Sequence, residues 1–176
     1  LIAVFVAVFI VSCSIIPQNP KYPVHYYDLG IPSERILFSK YFINEIDAET
    51  TTPGGNKMIF RKSANMLEFD EYNRWTQEPD DMLRSYCFLK QQATKEKSEK
   101  VTLKITISLF ELDIENKTAN FAAEYEIKQG KNSLLKNSFL RQTTVENQNA
   151  TNYAKAMGSN VDSFLAEISE KLSALQ

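Results

Sequence analysis

Residues 101–109, VTLKITISL, are the clearest strand in the sequence, because their apolar and polar side chains alternate without interruption. This alternation predicts a strand in an antiparallel sheet, with one face on a core and the other in water. The core face would carry Val101, Leu103, Ile105, Ile107 and Leu109. Residues 119–127 repeat the alternation and residues 134–145 add a third strand, with turns at 116–117 and 130–132 between them. The pattern predicts a three-stranded meander with short hairpin loops.

Further strands and two helices are predicted around the meander. The strands are expected at residues 25–29, 35–46, 57–61 and 65–72, and the first helix at 76–92. Pro79 suits the first turn of that helix. The last helix should start near Thr151 as its N-cap, and Gly158 should let it pack closely on the sheet. The expected fold is α+β: an antiparallel sheet that includes a three-stranded meander, with two helices packed on one face.

The first residues look like a lipoprotein signal. Residues 1–11, LIAVFVAVFIV, form an apolar run too short to span a bilayer comfortably, and Ile10-Val11-Ser12-Cys13 resembles a lipobox. We therefore expect residues 1–12 to be an N-terminally incomplete signal peptide and Cys13 to be lipidated. Residues 13–24 would form a Pro-rich linker, and residues 25–176 a single periplasmic α+β domain. A hydrophobic first strand or helix is less favoured, because the run has no periodicity.

Composition limits the partners and the chemistry. Twenty Lys and Arg against twenty-two Asp and Glu leave a net charge of −2, which argues against a nucleic-acid partner. If Cys13 carries lipid, Cys87 is left unpaired, and we interpret it as a small buried hydrophobe. His25 is the only histidine, so neither a zinc site nor a Ser-His-Asp triad is predicted. We expect no catalytic, metal or cofactor site, and we therefore expect that the protein is not an enzyme.

One segment has a family resemblance. Residues 57–89, KMIFRKSANMLEFDEYNRWTQEPDDMLRSYCFL, are similar to the ABC-type transport auxiliary lipoprotein family, whose members are associated with MCE-domain lipid-transport systems. A second match is Tyr-Tyr-x-Leu near the start of the domain. The residues that carry the resemblance, as fold signature or possible partner surface, are Tyr26, Tyr27, Leu29, Arg61, Arg74, Trp75, Glu78 and Pro79. We favour a structural role for Trp75, which would cap the core where a strand leads into a helix.

The resemblance implies a non-enzymatic lipoprotein of a Gram-negative bacterium that faces the periplasm. It would be an auxiliary component of an ABC/MCE-type system that moves lipid or another apolar molecule across the envelope. Its candidate partners are the membrane, through the lipid anchor, an MCE-domain protein and further copies of itself. Ser14 after the lipidated cysteine favours the outer over the inner membrane. The alternatives are a carrier lipoprotein with an unfilled apolar pocket, and an outer-membrane assembly or pilot lipoprotein.

Overall fold

The computed structural model describes residues 22–32, 34–36, 41–91 and 98–175. The predicted signal peptide, Cys13 and the linker up to residue 21 lie outside the described residues. Within them the chain forms seven strands and two helices. These are β1 (His25–Tyr27), β2 (Tyr41–Thr50), β3 (Lys57–Ser63), β4 (Met66–Trp75), α1 (Pro79–Lys90), β5 (Glu99–Asp113), β6 (Thr118–Gln129), β7 (Asn132–Thr144) and α2 (Ala150–Ser173).

The seven strands form one open sheet around β5. The order is β1-β4-β3-β5-β6-β7, and β2 also pairs with β5. Strand β6 pairs antiparallel with one edge of β5. Strand β2 pairs with the other edge, and β3 pairs with that same edge near the C-terminal end of β5. The α+β class and the meander β5-β6-β7 are confirmed. The sheet is mixed, because β2 and β3 run parallel to β5 and β1 runs parallel to β4. Helix α1 supplies the crossover connection that a parallel return to β5 requires.

Both helices lie on one face of the sheet, as predicted. Helix α1 packs on β2 and β5, and α2 packs on β6 and β7. The Tyr86 hydroxyl of α1 donates to the Asp162 carboxylate of α2 at 2.8 Å, and Lys90 forms an ion pair with the same carboxylate. The two helices are therefore joined to each other as well as to the sheet.

Several predicted boundaries were wrong. Helix α1 begins at Pro79 rather than residue 76. Thr151 is not the N-cap of α2, because the side chain of Asn149 accepts the N–H of Asn152 at 2.9 Å and the helix begins at Ala150. The strand predicted at 35–46 is β2, Tyr41–Thr50, which ends at Thr50 rather than residue 46; residues 37–40 of the predicted strand lie outside the described residues.

A bulge in β5 redirects its last residues. The pairing with β6 shifts register between Ile107 and Leu109, so Leu109 does not continue the buried row as predicted. Phe110 is buried in its place, and Glu111 then lies on the other face of the sheet. Because of the bulge, the neighbouring residues Phe110 and Glu111 place an aromatic ring in the core and a carboxylate on the outer face.

Candidate functional site

All residues of the family resemblance except Arg61 lie at or beside one edge of the sheet. Strand β1 pairs in parallel with the end of β4, so that Tyr26 lies opposite Arg74 and Tyr27 opposite Trp75. The N–H of Thr76 donates to the carbonyl of Tyr27 at 2.8 Å and extends this pairing. Two motifs that are far apart in the sequence therefore form one structural unit.

Trp75 is the centre of this unit and is fully buried. Its ring centroid lies 5.1 Å from that of Phe110 and 5.3 Å from that of Tyr153, both edge-to-face. Its backbone N–H donates to the carbonyl of Asn56 at 2.8 Å, and the Asn56 amide donates back to the Trp75 carbonyl at 3.2 Å. The indole N–H has no acceptor among the described residues. Aromatic packing therefore holds this ring, which places it in the core between strand and helix.

Glu78 and Pro79 form the start of α1. Pro79 is the first helical residue and is buried, where its missing N–H costs no hydrogen bond. Glu78 occupies the N-cap with an extended backbone, but its side chain caps no N–H and is exposed. Its backbone carbonyl accepts the N–H of Met82 at 3.0 Å. Of this pair, only the Glu78 carboxylate is available to a partner.

Leu29 lies in a tight loop that directly follows β1 in the chain and packs against α2 in space. The Asp28 carboxylate accepts the N–H of Gly30 at 2.8 Å, and Gly30 has a φ of +83°. Leu29 itself is buried. A Cβ at position 158 of α2 would lie 2.5 Å from the Leu29 carbonyl oxygen, so only glycine fits there. Gly158 therefore permits close packing, but on this loop rather than on the sheet.

Two small clefts flank the same loop. One, of about 290 Å³, lies between β1 and α2 and is lined in part by Tyr26, Ala154 and Lys155. The other, of about 160 Å³, lies between the loop and α1 and is lined in part by Met82 and Leu89. Both fall below the range of about 300–1,000 Å³ typical of ligand sites.

Arg61 lies apart from this edge, on the outer face of the sheet. Its Nε and Nη2 donate to the two carboxylate oxygens of Glu111 at 2.5 and 2.8 Å, and its Nη1 donates to the Ala64 carbonyl at 3.0 Å. The Glu111 side chain is only 5% exposed. The hydrogen bond to Glu111 raises the pKa of Arg61 above its usual value. This two-bond ion pair fastens β3 to β5. The burial of Glu111 was not predicted from the sequence, because the predicted strand ended at residue 109, whereas β5 continues to Asp113.

The remaining outer face carries paired charges and hydroxyls. On β2 and β5, Thr102 donates to Glu45 at 3.2 Å, and Lys104 pairs with Asp47 at 3.0 Å. The hydrogen bond to Asp47 raises the pKa of Lys104. The alternating hydroxyl and ammonium side chains of β5 predicted such a polar face, but not the acidic partner strand.

Hydrogen bonds hold several carboxyl groups in their ionised form. Burial alone would raise the pKa of Asp70, but hydrogen bonds from Asn73 and the N–H of Tyr72 outweigh it and lower the pKa. A hydrogen bond from Ser133 lowers the pKa of Glu126, with a further contribution from Lys128. These groups accept hydrogen bonds as carboxylates and do not have the raised pKa of a general acid. Cys87 is buried as expected, and burial raises its pKa to about 12.

The fold defines the class of protein: α+β domains with an open mixed sheet. One solved structure, titled as the crystal structure of an uncharacterized protein, is 16% identical with a TM-score of 0.65, and the match covers 85% of this chain and 99% of that one. A Xanthomonas campestris protein described by the DUF330 family is 15% identical with a TM-score of 0.59, covering 90% and 94%. At these identities the similarity shows the fold alone. No curated protein matches the chain.

The family is shown by the sequence itself. Residues 55–169 match the family described as ABC-type transport auxiliary lipoprotein component, and the chain belongs to that family. The description associates the chain with an ABC-type transport system and, as a lipoprotein, with the cell envelope. Among the described residues, no helix has both the length and the apolar character needed to cross a membrane.

Proposed function

We propose that this chain is a non-enzymatic lipoprotein that faces the periplasm and serves an MCE-type ABC transport system moving lipid or another apolar molecule across the envelope. The observation that carries the proposal is the family match over residues 55–169. The ionised carboxylates and the buried, high-pKa thiol of Cys87 agree with a binding role rather than a catalytic one.

Anchoring would depend on Cys13. Each buried methylene contributes about 0.8 kcal/mol, so two or three acyl chains hold a protein stably where one gives only marginal binding. Ser14 follows the cysteine, where an Asp would favour inner-membrane retention, and this supports the outer membrane. The domain would then reach its partner from the inner leaflet of that membrane.

We propose the free edge of β7 as the docking surface for the MCE-domain protein. In the part of the chain that the structure describes, β7 pairs only with β6; it ends the sheet order and spans thirteen residues, against three for β1 at the other end. An unpaired edge of this length can add a strand from a partner, with main-chain hydrogen bonds supplying affinity. Leu140 on β7 is 62% exposed and offers an apolar contact there.

The carrier alternative is less well supported. A carrier needs unfilled apolar space between the helices and the sheet. Here rings fill that space: Phe164 of α2 lies 5.4 Å from Phe121 and 5.4 Å from Tyr125 of β6, between centroids. The two clefts beside Leu29 are small. These observations favour an adaptor that docks over a carrier that encloses its cargo.

The test is photo-crosslinking in the native membranes, followed by mass spectrometry. A photoreactive residue replaces Leu140 on β7, and the matched control replaces Leu89 on α1, which is also 62% exposed. We expect position 140, and not position 89, to capture an MCE-domain protein, with the permease and ATPase recovered alongside. Recovery of lipid alone would favour the carrier, and recovery of a pilus or outer-membrane assembly protein would refute the transport assignment. A Cys13→Ala variant should lose the acyl modification and membrane retention.

A further inference from the structure

Four exposed apolar side chains come together where the described part of the chain begins. They are Tyr22, Val24, Tyr26 and Tyr72, called here the tyrosine patch. Tyr22 and Tyr26 are each 60% exposed and Tyr72 is 47% exposed. Single exposed apolar residues are ordinary, but a cluster of them marks an interaction surface.

Sheet geometry brings the patch together. Tyr26 lies opposite Arg74 in the parallel pairing of β1 with β4, and Tyr72 precedes Arg74 by two residues on the same strand. The ring of Tyr22 meets the ring of Tyr72 edge-to-face, with centroids 5.2 Å apart. Tyr26 lies in β1, and Tyr22 and Val24 precede it at steps of two, the spacing that puts side chains on one side of an extended chain.

The position of the patch in the chain points to the bilayer. Nine residue steps separate Tyr22 from Cys13, and a fully extended chain covers roughly 3.3–3.6 Å per step, or about 30 Å in all. With Cys13 in the membrane, the patch belongs to the part of the domain that the tether keeps nearest to it.

The side-chain chemistry fits a membrane interface. Tyrosine has an apolar ring and a polar hydroxyl, and it is enriched at the level of lipid headgroups. Next to the patch, the Glu71 carboxylate is paired with Lys57 at 2.7 Å, so its charge is compensated. Arg74, opposite Tyr26, adds a positive charge that suits anionic headgroups.

We propose that the tyrosine patch rests in the headgroup region of the bilayer that holds the lipid anchor, and so orients the domain on the membrane. This inference rests on the proposed lipidation of Cys13. The competing occupant is a second copy of the chain, which would cover the same rings with protein.

The test uses the full lipidated protein in vesicles of phosphatidylethanolamine and phosphatidylglycerol in equal amounts. A Val24→Cys variant carries an environment-sensitive fluorophore, and a Leu140→Cys variant on β7 is the control. Cys87 is buried and Cys13 is acylated, so only the introduced thiol should react. We expect the probe at position 24 to shift to the blue and to be quenched by headgroup-labelled lipid, while the probe at position 140 does neither. Adding Tyr22→Ser, Tyr26→Ser and Tyr72→Ser should reverse the shift at position 24.

The other outcomes overturn the inference in distinguishable ways. A lipidated protein whose probe at position 24 is unquenched overturns the membrane contact and leaves the proposed function intact. Energy transfer between probes at position 24 on different molecules, without quenching by lipid, assigns the patch to a second copy. A mature protein whose mass shows no acyl chains overturns both the anchor and this inference.

Discussion

Replacing Arg61 by alanine should destabilise the domain by about 2–3 kcal/mol, because the Glu111 carboxylate would stay buried without its partner. Removing one member of a fully buried ion pair costs about 3–5 kcal/mol. The Arg61 side chain is 24% exposed and Glu111 is 5% exposed, so water solvates part of this pair and the expected cost lies at or below the lower end of that range.

The assay is urea unfolding followed by far-ultraviolet circular dichroism. With a denaturant slope of about 2 kcal/mol per molar, the midpoint should fall by roughly 1–1.5 M. Glu111→Ala and the double variant complete a double-mutant cycle. The double variant should lose less stability than the sum of the two single losses, because neither charge is then left without its partner. The control is Arg141→Ala on β7, an exposed arginine whose loss should change stability by no more than about 0.5 kcal/mol.

The result that would refute this reasoning is an Arg61→Ala variant with an unchanged midpoint. Were that variant also to lose crosslinking to the transport partner, Arg61 would belong to a partner surface rather than to the joint between β3 and β5. Loss of stability with crosslinking preserved at low temperature would support the structural role.

Four further outcomes are expected. Gly158→Ala should cost about 1–3 kcal/mol in urea unfolding, since its Cβ would lie 2.5 Å from the Leu29 carbonyl oxygen; equal stability would contradict the close approach. Asn160→Leu should cost about 1–3 kcal/mol, because a β6 carbonyl loses a donor at 2.9 Å; a stabilised variant would be inconsistent with that bond. Burial alone would raise the pKa of Asp113, but hydrogen bonds from the following loop lower it below 3.8. Its stabilisation is therefore present above that value and lost as pH falls through the folded-state pKa, so Asp113→Asn should flatten acid unfolding curves there. Burial raises the pKa of Cys87 to about 12, so a thiol reagent should label it only in urea; rapid labelling of native protein would argue against the buried position.

The meander could be predicted from the sequence because its strands are neighbours in the chain. Alternation in residues 101–109 and 119–127 gives each strand a face, and short turns leave antiparallel pairing as the simplest connection. The pairing of β2 with β5 could not be predicted in the same way. It joins Ile43 to Val101 across a hairpin and a helix, and local patterns carry no information about such a register.

Of the candidate site, too, only part could be predicted from the sequence. The resemblance selected Tyr27 and Trp75 from separate segments, and the structure places them opposite each other in one parallel pair. The bulge after Ile107 was invisible in the alternation, because it needs only one extra residue and Leu109 is itself apolar. The burial of Glu111 could not be predicted either, because it depends on the bulge and on an arginine fifty residues earlier.

The burial of the signature residues bears on where function resides. Leu29, Trp75 and Pro79 are buried, and Arg61 is tied to a buried carboxylate. Substitutions at these positions would lower stability before they altered any partner contact, so a loss of transport in such variants would not locate an interface. The informative positions are exposed ones, such as Leu140 on β7 and Tyr72 in the tyrosine patch. A variant there that keeps the unfolding midpoint and loses crosslinking or membrane contact would separate recognition from folding.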